Sequence, residues 1–304
     1  MALSDKVHRL YGVVLLGTDE IDQNAQVTIN PGITEMLLND GVDNNFVAVS
    51  QQDARIRVIT SAVATALGIA GIGGKKVEPT DEELVMFLRK VEELGTYVSG
   101  SNHVKITGKN GLFYPQTLNA DNVSGSIAYE FVPFWDGTNA PLIIATGQAL
   151  SGTPTIDEAF VLGPVKINGT QLEGGQSVSI GFGIQPMVTF ADGDVWPKFV
   201  AIARRQPMIR VRTVDATVLD TFGLSGTAQG ATDSEIWLRS AEKDGVRHGD
   251  GESEHIKILV DAGMITVNDL AADPNTEYAA EVVIRPTWDG TNDVLAITTG
   301  QAIS

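Results

Sequence analysis

WDGTNAPLIIATGQALS at residues 135–151 returns as WDGTNDVLAITTGQAIS at residues 288–304. Twelve of the 17 positions are identical at a constant offset of 153, in a chain of 304 residues. Self-similarity at half the chain length points to two copies of one unit, so it has to be followed outward before any element is assigned. It persists. His103-Val104-Lys105-Ile106 matches His255-Ile256-Lys257-Ile258, and Phe46-Val47-Ala48-Val49 matches Phe199-Val200-Ala201-Ile202. Ile56-Arg57-Val58 matches Ile209-Arg210-Val211, and Val27-Thr28-Ile29 matches Val178-Ser179-Ile180. The offset drifts only between 150 and 153, which short insertions in loops absorb. Seven such blocks keep their order. The expectation is a tandem duplication, with a first β domain at 1–151 and a second at 152–304 that superpose on one another.

Each half is long enough to bury a core without staples. The chain has no cysteine, which removes disulfides and thiolate chemistry from consideration. The net charge is −17, so no basic face for gripping nucleic acid is expected. Residues 1–9 are polar and lack the apolar core of a secretory leader. The apolar run near 62–72 is too short and glycine-rich to span a bilayer, and no membrane partner is expected.

Alternation and turn residues favour strands over most of the chain. Residues 10–16 (LYGVVLL) read as a strand buried on both faces, and 25–29 and 176–180 as returning strands. Residues 36–45, holding Asn39-Asp40-Gly41, read as a hairpin or loop tip. Strands are expected at 46–50, 54–60, 104–107, 126–132 and 142–146, and at their copies in the second half. Residues 61–76, rich in Ala and Gly, read as a flexible connection. The clearest helix is expected at 80–94: Thr80 and Glu83 form a capping box, Leu84, Phe87, Leu88, Val91 and Leu94 recur at helical spacing, and Gly95 stops it. Residues 233–243 (DSEIWLRSAEK) read as its shorter copy. The Asp-Gly of each Trp-Asp-Gly-Thr-Asn motif reads as a hairpin turn. About seven or eight strands plus one helix per half describe a mainly β fold: a β-sandwich or partly closed barrel, flanked by one α-helix in each repeat.

The candidate sites are thin. Trp135 and Trp288 beside Asp-Gly suggest a sugar platform, but a turn whose indole packs on the sheet is the favoured reading, because the Thr-Gly-Gln-Ala that follows is equally repeated. His103 and His255 occupy equivalent positions without an HxxxH or HxH partner, which suits a capped turn or a subunit contact. Gly71-Ile72-Gly73-Gly74-Lys75-Lys76 lacks the spacing and the following Ser or Thr of a phosphate loop. Asp250-Gly251-Glu252-Ser253-Glu254 departs from the calcium-loop pattern and reads as a solvated loop. Asn122-Val123-Ser124 and Asn168-Gly169-Thr170 match the glycosylation sequon without other signs of secretion. No catalytic, cofactor-binding or metal-ligating residue is assigned, and an enzyme is the least expected class.

The duplication and the segment HVKITGKNGLFYPQTL at 103–118 resemble the tail tube proteins of long-tailed, siphovirus-type bacteriophages. That resemblance implies a structural virion protein of the tail, assembled in the host cytoplasm. Its β units would close with neighbouring subunits into a ring. Three two-domain chains would imitate a hexamer, and homotrimeric rings would stack into a tube that passes DNA without binding it specifically. The implied partners are the chain itself and the tail terminator, tape measure and tail-tip proteins. Another tail-tip, tail-completion or capsid-decoration protein, or a tandem carbohydrate-binding β-sandwich, are the alternatives. For a DNA conduit, more Asp and Glu than Lys and Arg are expected on the lumen strands. Arg55, Arg57, Arg204, Arg205, Arg210 and Arg212 are then expected at contacts, paired with acids.

Overall fold

A computed structural model describes residues 7–39, 44–79, 82–92, 95–155, 158–215, 217–223, 225–229, 233–242, 244–273 and 276–304. The chain is mainly β. Its first half runs β1 (His8–Leu16), β2 (Asp19–Ile21), β3 (Asn24–Asn30), β4 (Ile33–Asn39), β5 (Asn44–Gln52), β6 (Arg55–Thr60), α1 (Val63–Ala70), β7 (Lys75–Val77), β8 (Leu84–Lys90), β9 (His103–Gly108), β10 (Gly111–Asp121), β11 (Gly125–Pro133) and β12 (Leu142–Gln148). The second half runs β13 (Phe160–Ile167), β14 (Thr170–Leu172), β15 (Gly175–Gly181), β16 (Ile184–Thr189), β17 (Phe199–Arg205), β18 (Met208–Thr213), α2 (Val218–Phe222), β19 (Thr227–Ala228), β20 (Ser234–Ser240), β21 (His255–Val260), β22 (Gly263–Asp273), β23 (Thr276–Pro286) and β24 (Ala296–Gln301). In both series the helix follows the sixth strand.

The strands assemble into two five-stranded sheets, one ten-stranded sheet and two hairpins. One small sheet has the order β12-β9-β8-β1-β2 and the other β24-β21-β20-β13-β14. The large sheet runs β19-β22-β23-β18-β15-β10-β11-β6-β3, with β7 on β10. Its two halves, β7-β10-β11-β6-β3 and β19-β22-β23-β18-β15, therefore have the same internal order. They join where β15 pairs antiparallel with the C-terminal part of β10, from Thr117↔Gly181 to Asp121↔Ser177. The hairpins β4–β5 and β16–β17 leave the sheet at corresponding places.

Alternation explains the layers. In β6 and β18, Ile56, Val58, Ile209 and Val211 are buried, while Arg57, Arg210 and Arg212 on the other face are exposed. Each small sheet covers the apolar face of one half of the large sheet, as in sheet-on-sheet packing. Leu16, Leu84 and Met86 of one small sheet and Ile167, Ile236 and Ile256 of the other are buried in the same core as Ile56, Phe113, Phe131, Ile180, Ile209 and Val282 of the large sheet. These side chains belong to one continuous apolar cluster.

Two expectations are corrected here. Residues 84–90 are not helical; they form β8, and 234–240 form β20. Thr80, Asp81, Glu93 and Leu94 of the expected helix, and Lys243 of its copy, lie outside the described residues. The reason is burial on both faces. Leu84 and Met86 enter the main core while Val85 and Phe87 join a second cluster with Val13 and Leu15 on the opposite face. An unbroken apolar run satisfies the helical period and the strand period alike, and tertiary context decides. The helix lies instead in the Ala/Gly segment expected to be a flexible connection, where Val63, Ala66, Leu67 and Ala70 are buried. Small side chains let α1 sit close to the sheet, and the Tyr129 hydroxyl donates to Ala66 O at 3.1 Å.

The Trp-Asp-Gly-Thr-Asn segments do not close hairpins either. β11 belongs to the large sheet and β12 to a small one, so the segment is a corner between layers. Gly137 has φ 94° and Gly290 has φ 98°, left-handed values that favour glycine at the corner.

Candidate assembly interface

Most of the polar groups singled out in the sequence are used inside the fold. His103 is buried, and its Nδ1 accepts the Lys90 backbone N–H at 3.1 Å. His255 is also buried, and its Nδ1 accepts the Ser240 N–H at 3.0 Å. Each imidazole thus satisfies a donor at the end of the neighbouring strand. Burial lowers the His103 pKa, and the charges of Arg89 and His8 lower it further.

The acidic loop after β20 turns inward to its own side chains. Glu252 and Glu254 hold the two ring nitrogens of His248 at 2.6 and 2.9 Å, and Asp250 pairs with Arg239. No group of three or more metal-ligating side chains occurs among the described residues. At the corners, Asp136 Oδ1 accepts the N–H groups of Thr138 and Asn139 at 2.8 and 2.7 Å, and Asp289 repeats this with Thr291 and Asn292. The Asn139 side chain, followed by these backbone donors, holds the Asp136 pKa below the usual carboxylate range. The Thr291 and Asn292 N–H groups do the same for Asp289. These are side-chain-to-backbone turns that orient the chain.

What the fold leaves on its surface is more informative. The β16–β17 hairpin of the second half lies over the uncovered face of β10 and β11 in the first. Val200 packs with Tyr114 and Val132, and Ile184 and Val188 pack against the same cluster. The Trp135 N–H donates to Pro197 O at 2.7 Å, and the Lys198 ammonium sits 4.9 Å from the Trp135 ring centre. The Gln52 N–H donates to Val195 O at 2.7 Å, and Arg205 Nη2 donates to Gly73 O at 2.8 Å. Under the hairpin, Glu130 accepts from Tyr114 at 2.5 Å and Gln116 at 2.7 Å, and pairs with Arg55 at 3.3 Å. This contact between the halves had no motif in the sequence. Its signal was the match of 46–49 with 199–202, which placed an apolar strand without saying what covered it.

Of the six arginines, Arg55 meets Asp53 and Glu130, and Arg210 lies 3.8 Å from Glu281. Arg204 donates to Gln185 and Arg205 to a backbone carbonyl. Arg57 and Arg212 are exposed, opposite Glu130 and Glu281 in register.

No protein-family model matches the chain, and no curated protein shows significant similarity to it.

Proposed function

We propose that the chain is a tandem duplication of one β unit and that it serves as a structural subunit of a ring. The ring would be closed by three copies and stacked into a tube, as in the tail of a long-tailed bacteriophage. One observation carries this reading. The two sets of strands join edge to edge through β10 and β15, so a head-to-tail contact between units already exists inside the chain. The large sheet still has open strand edges at β3 and at the C-terminal part of β22, beyond its short pairing with β19. A head-to-tail contact that recurs between chains either closes into a ring or runs on as a filament, and closure removes the exposed edges.

In such a ring the small sheets lie outside, and the parts of the opposite face of the large sheet that the hairpins leave open line the channel. Its charges are mixed. Arg57 faces Glu130 across β6–β11, and Arg212 faces Glu281 across β18–β23. The acid excess expected for a lumen therefore does not extend to these strands. Glu281 beside Arg212 limits how many phosphates that part of the wall can neutralise, and with that its salt-dependent hold on DNA. Negative-stain microscopy of the purified chain tests the reading. Annular particles or tubes with an axial channel are expected; a uniform field of single particles at high concentration would refute it.

A further inference from the structure

Equivalent side chains of the two halves differ in exposure in one systematic way. On the hairpin of the second half, Val200 is 9% exposed; its counterpart Val47 on β5 is 57% exposed. Val188 is half-buried, while its counterpart Leu37 on β4 is 50% exposed. On the receiving face the order reverses. Leu112 and Trp135 of the first half are half-covered, whereas Met264 and Trp288 of the second half are 45% and 70% exposed. The first half has a covered face and a bare hairpin; the second has a covered hairpin and a bare face. The two bare surfaces are the two halves of a contact already formed once within the chain.

We propose that the β4–β5 hairpin of one copy docks on the Met264–Trp288 face of β22 and β23 in a second copy of this chain. Its position would be set by β3 pairing with the edge of β22. This rests on the ring reading and adds the contact surface and its register. Among the described residues, no strand pairs with Asp269–Asp273 on the side away from β23, or with β3 on the side away from β6. β22 begins 152 residues after β10, at 263 against 111, and β15 begins 151 after β3, at 175 against 24. The irregularity in β10 between Pro115 and Thr117 recurs in β22 between Val267 and Asp269, and β22 has a second one, between Ala271 and Asp273, that β10 lacks. Moving the internal register by these offsets pairs Asp269 with Asn30 of the second copy and Ala271 with Thr28, up to the irregularity of β22.

The receiving face is more polar than its counterpart. Arg285 and Thr287 stand where Val132 and Phe134 are in the first half. Such a face suits a subunit that folds alone and assembles later, since a fully apolar patch of that kind would promote indiscriminate association. The occupant brings Val47, Val49 and Leu37 against Met264 and the Trp288 indole, an aromatic anchor of the kind that dominates interfaces.

Because the chain has no cysteine, engineered pairs report register cleanly. Within the chain, Ser179 donates to Asn119 at 2.7 Å, and the corresponding intermolecular pair is Thr28 with Ala271. Oxidised T28C/A271C is expected to give covalent dimers and trimers that dissolve on reduction. Q26C/A271C, two residues out of register, places its sulfurs beyond disulfide reach and is expected to stay monomeric on a denaturing gel. Emission of the unmodified protein, compared with that of Trp288→Phe, should shift to the blue on assembly as Trp288 is covered. Oligomers in which T28C/A271C fails to cross-link, or in which the Trp288 emission does not move, would overturn this contact and leave the ring standing. A chain that stays monomeric by light scattering at every concentration would overturn both.

Discussion

Gly137 and Gly290 turn the chain from one sheet layer to the next, with φ values of 94° and 98° that L side chains rarely adopt. Space is open where a Cβ would be added, so the cost of a substitution is one of backbone conformation alone. Gly137→Val is expected to lower stability by about 1 kcal/mol or more, read as a fall in the urea midpoint at unchanged slope. These glycines were legible because Asp-Gly is written twice; that the turn joins two sheets was not, since a corner and a hairpin use the same residues. His103 gives a second test. Its pKa is lowered in the folded state, so between that value and about 6.5 the unfolded chain binds the additional proton. Stability contributed by neutral His103 is present above that range and lost as pH falls through it. His248, raised chiefly by its hydrogen bond to Glu252, acts in the opposite sense, losing its contribution as pH rises through its folded value. The check is therefore a difference. Urea midpoints of the wild type and His103→Asn, measured from pH 7.5 to 5, should converge toward low pH; parallel curves would show that His103 does not titrate against folding.

Strand β8 is where reading by period failed, and the failure has a physical test. Met86 lies off the helical stripe of Leu84, Phe87, Leu88 and Val91, so in a surface helix it would tolerate truncation. In β8 it is fully buried in the main core. Met86→Ala is expected to cost about 2–5 kcal/mol, where an exposed helical site would cost almost nothing. Strands covered on one face, such as β6 and β18, announced themselves through alternation. β8 and β20 did not, because burial on both faces erases the polar half of the pattern. The helix α1 was hidden for another reason: its own N-terminus carries no side-chain cap. Glu158, from beyond the chain's midpoint, supplies one instead, accepting the N–H groups of Ala64 and Thr65 at 2.9 and 3.0 Å and the Thr65 hydroxyl. A cap 93 residues away cannot be seen in a local window. Glu158→Ala should cost about 1 kcal/mol, as for loss of other N-caps, and should raise amide exchange in α1 before it does so in β8.

At the scale of the molecule, the order of matched blocks anticipated that the same strand order occurs in both halves of the large sheet, because apolar strand positions recur at nearly constant spacing. The contact surfaces were not legible. Val47 and Val200, or Trp135 and Trp288, are equivalent in sequence and differ only in whether a neighbour is present. If three copies close the ring, every unit gains the neighbours that only one unit has within a single chain, and the exposed edges at β3 and β22 disappear together. Native mass spectrometry of the unmodified chain over a range of concentrations measures the number of subunits most directly. Species of three 32.3 kDa chains, and multiples of three, are expected with little dimer between them, since an open pair still carries both bare surfaces. A closed dimer, a tetramer or a persistent monomer would contradict it.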